Sequence, residues 1–192
     1  MLKVAVLGGS FDPVHNAHLQ MTRTAFEEFK LDKIIFVPAY KPPHKSCLVA
    51  SDKDRYAMLC SAIKGFPDCV IDTYELDLKK EIYSYIMLDY LKNKYANCDI
   101  KMLVGADSFA QLNLWKNTEY ICKKYGFYVI GRPGVEIDKN SIYYNCCVFS
   151  KKIMSDISST MIRNMIKNKQ DISCFVPKKV EEYIKQNKLY CK

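Results

Sequence analysis

"GGSFDPVHNAHL", Gly8 to Leu19, follows directly on the strand-like run "LKVAVL" at residues 2–7 and decides how the chain is read. Two glycines, a Phe-Asp-Pro turn and two of the chain's three histidines fall within twelve residues. Gly8 and Gly9 let the chain leave a strand tightly, and let backbone N–H groups approach an anion with no Cβ in the way. Pro13 fixes the turn, and a helix begins near Asn16 or Ala17. His15 and His18, three apart, place both rings on one side of that helix entrance. A helix N-terminus favours negative charge through its free N–H groups and its dipole. Two imidazoles added there make a phosphate site that changes charge near neutral pH. A plain turn with two surface histidines is the alternative, and the sum of strand, Gly-Gly, Pro, His-x-x-His and helix argues against it. Zinc is disfavoured, because only His44 remains as a third histidine and no cysteine has ligand spacing.

Outward from this stretch, short β-branched runs alternate with longer amphipathic ones. Strands are expected at 3–7, 33–37, 69–73, 100–104, 127–130 and 145–149, and helices at 18–29, 52–64, 84–93 and 108–124. In the first helix Leu19, Thr22, Ala25, Phe26 and Phe29 share a face. Asp52 reads as the N-cap of the second and Gly65 as its stop. Such alternation implies βαβ units and a doubly wound parallel sheet with helices on both faces. Two more helices, 159–168 and 177–187, follow without an intervening strand. The expectation is one α/β domain over residues 1–192, with a C-terminal helical segment of about 159–192 packed on it. In such sheets ligands bind beyond the carboxyl ends of the strands, where the strand order reverses.

Composition narrows the class. The 192 residues are 49% hydrophobic and 26% charged, ordinary values for a globular chain. No apolar run approaches the ~20 residues that span a bilayer, and the N-terminus lacks the layout of a signal peptide. A cytoplasmic protein without membrane association is expected. Nine cysteines without C-x-x-C spacing read as small buried thiols, not as a disulfide framework or a zinc knuckle. The net charge of +8 comes from scattered lysines, 25 of the 29 basic residues. That pattern fits solvated faces or a polyanionic small substrate better than a nucleic-acid stripe, so no nucleic-acid partner is expected.

Most later motifs also follow an expected strand. "ISSTMIR", 157–163, opens a helix with Ser158, Ser159, Thr160 and then Arg163; it reads as a cap or as a second polyphosphate cradle. In "LVGADSF", 103–109, Gly105 ends a strand and Asp107 is a capping or a ribose-binding carboxylate. "VIGRPG", 129–134, aims Arg132 at the same crevice. "PAYKPPHK", 38–45, carries His44 and Lys45 as a solvated loop or a ligand contact. Trp115, followed by Lys116, is either core or a stacking surface.

The set "GGSFDPVHNAHL", "PPHK", "GADSF" with Trp115, "GRPG" and "ISSTMIR" resembles the bacterial nicotinate-mononucleotide adenylyltransferases. They belong to the nucleotidyltransferase superfamily marked by an H-x-G-H motif, which also holds pantetheine-phosphate adenylyltransferases and cytidylyltransferases. The resemblance runs from Lys3 to Tyr190. Ala17 replaces the glycine of H-x-G-H, and the family's "SYT" segment is matched to Ser84-Tyr85-Ile86. The resemblance implies a Rossmann-like fold and adenylyl transfer from ATP to nicotinate mononucleotide in NAD biosynthesis, with pyrophosphate released and no covalent intermediate. It implies that Gly8, Gly9, Ser10, Phe11, His15, His18, Gly105, Asp107, Arg132, Ser158, Ser159, Thr160 and Arg163 bind ATP, with His15, His18 and Arg163 catalytic. His44, Lys45, Tyr85, Ile86, Trp115 and Lys116 would hold the mononucleotide, the backbone N–H near Ile86 facing the pyridine carboxylate. Mg²⁺ would come with ATP, held by phosphates and water, with no protein-bound zinc or flavin; the partners would be these two small molecules, and the protein a monomer or a homodimer. A shorter pantetheine-phosphate adenylyltransferase and a non-catalytic nucleotide- or RNA-binding module are the rival readings.

Overall fold

Residue-by-residue alternation in the first strand separates two apolar layers. In β1 (Leu2–Gly9), Ala5 and Leu7 face one cluster while Val4 and Val6 face the other. In β2 (Lys33–Pro38), Ile34 and Phe36 likewise oppose Ile35 and Val37. A strand that is apolar on both faces needs cover on both, which is why these runs show little polar alternation. The structure, a computed structural model, describes residues 1–41 and 48–191.

The remaining elements are α1 (Asn16–Phe29), α2 (Asp52–Ile63), β3 (Cys69–Ile71), α3 (Tyr74–Leu78), α4 (Ser84–Lys94) and β4 (Cys98–Gly105). They continue as α5 (Ala106–Phe109), α6 (Thr118–Lys124), β5 (Phe127–Gly131), β6 (Cys147–Ile153), α7 (Ser159–Lys167) and α8 (Lys178–Gln186). The six strands form one sheet in the order β3-β2-β1-β4-β5-β6, every pair parallel. This is the doubly wound order. The chain moves outward from β1 to β3, then returns to the other side of β1 as β4. The connections leaving β1 and β4 therefore diverge, and a crevice opens between the carboxyl ends of these two strands.

Helices α1, α2, α7 and α8 cover the face with Ala5 and Phe36, whereas α4 and α6 cover the other. The α1 face expected from spacing is buried at Leu19, Thr22, Ala25 and Phe29. Several local expectations change. The N-cap of α2 is Ser51, whose hydroxyl accepts the Asp54 N–H at 3.2 Å, and Asp52 lies inside the helix. The helix expected over 108–124 is broken. Thr118 Oγ1 donates to the Leu112 carbonyl at 2.6 Å, and Asn117 takes a left-handed φ of 55°, so the chain turns through an extended Trp115 before α6 starts. The last strand begins at Cys147, because a 3-10 turn occupies Tyr144–Cys146. Helix α3 had no expectation.

Among the described cysteines, only Cys69 and Cys98 are buried free thiols, and burial pushes the Cys69 thiol up to about 12. Cys174 and Cys191 are exposed, and Cys122 on α6 pairs with Cys146 ahead of β6, their Cα atoms 5.2 Å apart. Small buried thiols thus describe only part of the set. No described helix is long and apolar enough to cross a membrane.

The C-terminal segment is tied to the turn after β1 by polar groups buried at long range. Asp12, 1% exposed, accepts the N–H of Val49 at 2.8 Å, the N–H of Ala50 at 3.1 Å and the hydroxyl of Tyr190 at 2.7 Å. Asn16 on α1 donates its N–H to the Phe175 carbonyl at 2.9 Å and its side-chain amide to that of Cys174 at 3.0 Å. Burial and the adjoining Asp12 both raise the Tyr190 hydroxyl pKa, so it stays a proton donor. Loss of one hydrogen bond to a buried charge costs about 1.5–3 kcal/mol. Tyr190→Phe is therefore expected to lower the unfolding free energy by about that amount, measured from the urea midpoint; an unchanged midpoint contradicts the role of this contact.

Candidate active site

The crevice is built first by the turn after β1. Phe11 takes a left-handed φ of 48°, the Asp12–Pro13 peptide is cis, and His15 follows as the N-cap of α1. His15 and His18 form a reciprocal capping pair: His15 N–H donates to His18 Nδ1 at 3.2 Å, while the His15 side chain faces the His18 N–H. Their ring centroids lie 3.7 Å apart, and Phe11 packs edge-on to His18 at 5.1 Å. An accepting Nδ1 carries no proton, so a neutral His18 holds its proton on Nε2.

Two cavities meet here. The smaller, about 270 Å³, is lined by Gly8, Gly9, Ser10, His15, His18, Gly105, Asp107, Arg132, Ser158 and Ser159. The larger, about 550 Å³, is lined by Glu75, Glu81, Ile82, Tyr83, Ser84, Met87, Leu114, Trp115 and Lys116. Gly8, Gly9, Met102 and Trp115 belong to both, so the carboxyl end of β1 is their common wall. Most of the residues assigned to ATP line one polar chamber, and Trp115 and Lys116 line the adjoining, more apolar one.

The side chains in the polar chamber are already engaged. Arg132, after β5, is bonded through Nη1 to Asp107 and through Nη2 to Asp156 at 3.2 Å. Asp156 had not been singled out. At Gly105 a Cβ would lie 2.6 Å from Asp107 Oδ1, so a side chain there would displace the carboxylate that pairs with Arg132. At Gly9 the space a side chain would take is filled by the Phe11 ring, 3.2 Å from a built Cβ. Phe11 itself is buried beneath the turn and does not line either cavity.

Around α7, Ser158 is the N-cap, accepting the Met161 N–H at 3.2 Å. Ser159 Oγ donates to the Pro13 carbonyl at 2.9 Å, and Arg163 Nη1 donates to the Asp12 carbonyl at 2.7 Å. Thr160 Oγ1 accepts from Arg163 Nη2 at 3.1 Å. Ser159 and Arg163 thus bolt the second helix entrance onto the first, and Thr160 and Arg163 do not line the cavity.

The residues expected to hold the mononucleotide differ from the larger cavity's lining in register. Tyr85 and Ile86 do not line the larger cavity; Ile82, Tyr83 and Ser84 do. The Ile86 N–H is spent inside the first turn of α4, donating to the Tyr83 carbonyl at 3.0 Å. Tyr83, the N-cap, lies under the Lys116 ammonium at 5.7 Å from its ring centroid. His44 and Lys45 lie outside the described residues. Among the described residues no group of three or more His, Cys, Asp or Glu is arranged to hold a metal ion.

Sequence reasoning also missed Glu75 and Arg55, both buried. Arg55 donates to the Ser10 carbonyl at 2.6 Å and to Asp52 at 2.7 Å, supporting the turn from below. Glu75 lines the larger cavity, and burial pushes its carboxyl up to about 7. Only their burial marks them, and burial at these positions has no local signature in the sequence.

This arrangement has close relatives. Residues 6–165 match the model of the cytidylyltransferase-like family. A curated relative from Endomicrobium trichonymphae, "Probable nicotinate-nucleotide adenylyltransferase", is 44% identical over 99% of this chain and 100% of its own length. One of the same name from Clostridium acetobutylicum is 37% identical over the same shares. Among solved structures, the Plasmodium falciparum nicotinic acid mononucleotide adenylyltransferase complexed with APC superimposes with a TM-score of 0.81 at 18% identity, covering 99% of this chain and 98% of that one. The same enzyme complexed with NaAD gives 0.77 at 21% identity, with the same coverage. A six-stranded parallel sheet in doubly wound order, a histidine pair at its switch point and full-length relatives well above 30% identity lead to one assignment: the chain belongs to the cytidylyltransferase-like family and, within it, to the nicotinate-nucleotide adenylyltransferases.

Proposed function

We propose that the protein transfers the adenylyl group of ATP to the phosphate of nicotinate mononucleotide, giving nicotinate adenine dinucleotide and pyrophosphate. The observation that carries this reading is the histidine pair at the entrance of α1, between a polar chamber and a larger apolar one that share the wall of Gly8 and Gly9. The triphosphate occupies the polar chamber. The mononucleotide occupies the larger one, its ring bounded by Trp115 and Tyr83. By resemblance alone, His44 and Lys45 serve its phosphate.

The attacking phosphate oxygen is already ionised at neutral pH, its second pKa being about 6. No general base and no enzyme nucleophile are needed, so transfer runs by direct in-line attack on the α-phosphorus. What the protein must do is hold two mutually repelling anions in line and stabilise charge as pyrophosphate departs. His18, fixed by its Nδ1 contact with the His15 N–H, presents Nε2–H as a donor towards the bridging region. His15, at the N-cap, acts beside it at the positive end of the helix dipole. Ser158 and Ser159 offer the second helix entrance to the outer phosphates. Arg163 is a positioning residue in this reading, because its hydrogen bond holds the Asp12 carbonyl and with it the histidine turn. Asp107 and Arg132 bound the adenosine end as a neutralised pair. Magnesium would come with ATP, held by its phosphates and by water and not by side chains of this chain, and would offset phosphate charge during transfer.

His18→Ala is expected to lower kcat by roughly 10²-fold or more with a smaller change in KM for either substrate, because the donor matters most as charge develops. Steady-state kinetics with pyrophosphate detection measures this, and a near wild-type kcat removes the assigned role. With both mononucleotides supplied at pH 7, kcat/KM is expected to favour nicotinate over nicotinamide. Equal values would leave adenylyl transfer standing and remove the acceptor assignment.

A further inference from the structure

Glu75 is a buried carboxyl group that the transfer reaction, as described, leaves without a task. It stands on α3, 6% exposed, and lines the larger cavity with Glu81, Tyr83, Trp115 and Lys116. Its Oε2 accepts the Tyr40 N–H at 3.3 Å, the one hydrogen bond it makes to a described residue. The buried cation nearby is Arg55, but its Nη1 and Nη2 are committed to Ser10 and Asp52. Arg55 therefore reaches Glu75 through space only. Glu81, on the connection to α4, adds a like charge. At the end of β3, Asp72 is already paired with Lys94 at 2.9 Å. Burial is the largest influence on Glu75 and raises its pKa to about 7; the Tyr40 N–H and Arg55 oppose it, and Glu81 reinforces it.

A nicotinate ring brings a carboxylate that is ionised throughout the physiological range, whereas nicotinamide brings a neutral amide. An anionic wall penalises the first and tolerates the second; a protonated carboxyl in the wall donates a hydrogen bond to the first. We propose that Glu75 sets the acid-against-amide choice of the cavity: neutral, it donates to the nicotinate carboxylate, and ionised, it repels it. This rests on reading the larger cavity as the mononucleotide site. Glu75 is then a specificity-determining residue, and substrate choice is coupled to pH. The sign follows directly: as pH rises through about 7 the wall gains a negative charge, and discrimination in favour of the acid falls.

The test is the ratio of kcat/KM for nicotinate mononucleotide to that for nicotinamide mononucleotide, measured from pH 6 to 8.5 in the wild-type protein and in Glu75→Gln. Ionisation of ATP, of the histidines and of the acceptor phosphate is common to both substrates and cancels in the ratio. In the wild type the ratio is expected to fall several-fold across this range, by up to about tenfold per pH unit at its steepest. In Glu75→Gln, which keeps the shape and removes the charge, the ratio is expected to be independent of pH. A flat wild-type ratio overturns the proposal without any variant, and so does a slope that survives in Glu75→Gln. If neither mononucleotide is adenylylated at any pH, the assignment of the cavity itself is what fails.

Discussion

The buried carboxylate of Asp12 is the contact on which the site depends. It gathers Val49, Ala50 and Tyr190 from 37, 38 and 178 residues away, while its own carbonyl takes the Arg163 guanidinium. A carboxylate taken out of water costs several kcal/mol unless its oxygens are satisfied. Docking of the C-terminal segment therefore helps to satisfy the buried turn that leads to His15 at the start of α1. Ser159, bonded to the Pro13 carbonyl, ties the same two segments again one turn further along. Two helix entrances far apart in the chain are thereby held side by side, and the coupling is polar and buried, so it is specific in register.

The polar side chains of the chamber are already engaged with the protein. Arg132 is shared between Asp107 and Asp156, Ser159 donates to the Pro13 carbonyl, and the histidines are held by backbone contacts at the start of α1. For the proposed transfer, such a chamber would bind a polyphosphate without a large standing positive field, and donors held fixed by capping and by neighbouring chain would need little reorganisation as charge moves from the α-phosphate to the departing pyrophosphate. Among the described residues no lysine lines this chamber, and Lys116 lines the adjoining cavity.

The legible parts were those whose causes are local. Strand, Gly-Gly, Pro13 and the histidine pair lie within one short stretch, and β1 and α1 occur where that stretch predicts. The six parallel strands and their covering helices followed from apolar runs with both faces hidden. What escaped was decided at a distance or by a small shift of register. At the start of α4, Ser84-Tyr85-Ile86 and Ile82-Tyr83-Ser84 are equally consistent with a helix beginning there; the fold puts the second at the cavity. The Thr118 hydroxyl breaks the expected helix at 108–124 by bonding back to Leu112. Asp12 reads locally as a turn residue, because all of its partners are remote. Glu75 reads as a charge on a short helix until burial places it in a cavity wall.

Direct transfer between two bound anions, with the protein supplying alignment and fixed donors only, is the centre of this account. Isotope exchange between labelled pyrophosphate and ATP, measured with and without nicotinate mononucleotide, addresses it most directly. The account predicts pyrophosphate release in equal amount with the dinucleotide when both substrates are present, and no exchange when the mononucleotide is left out. Label entering ATP without the mononucleotide would require an adenylylated protein, and would contradict it.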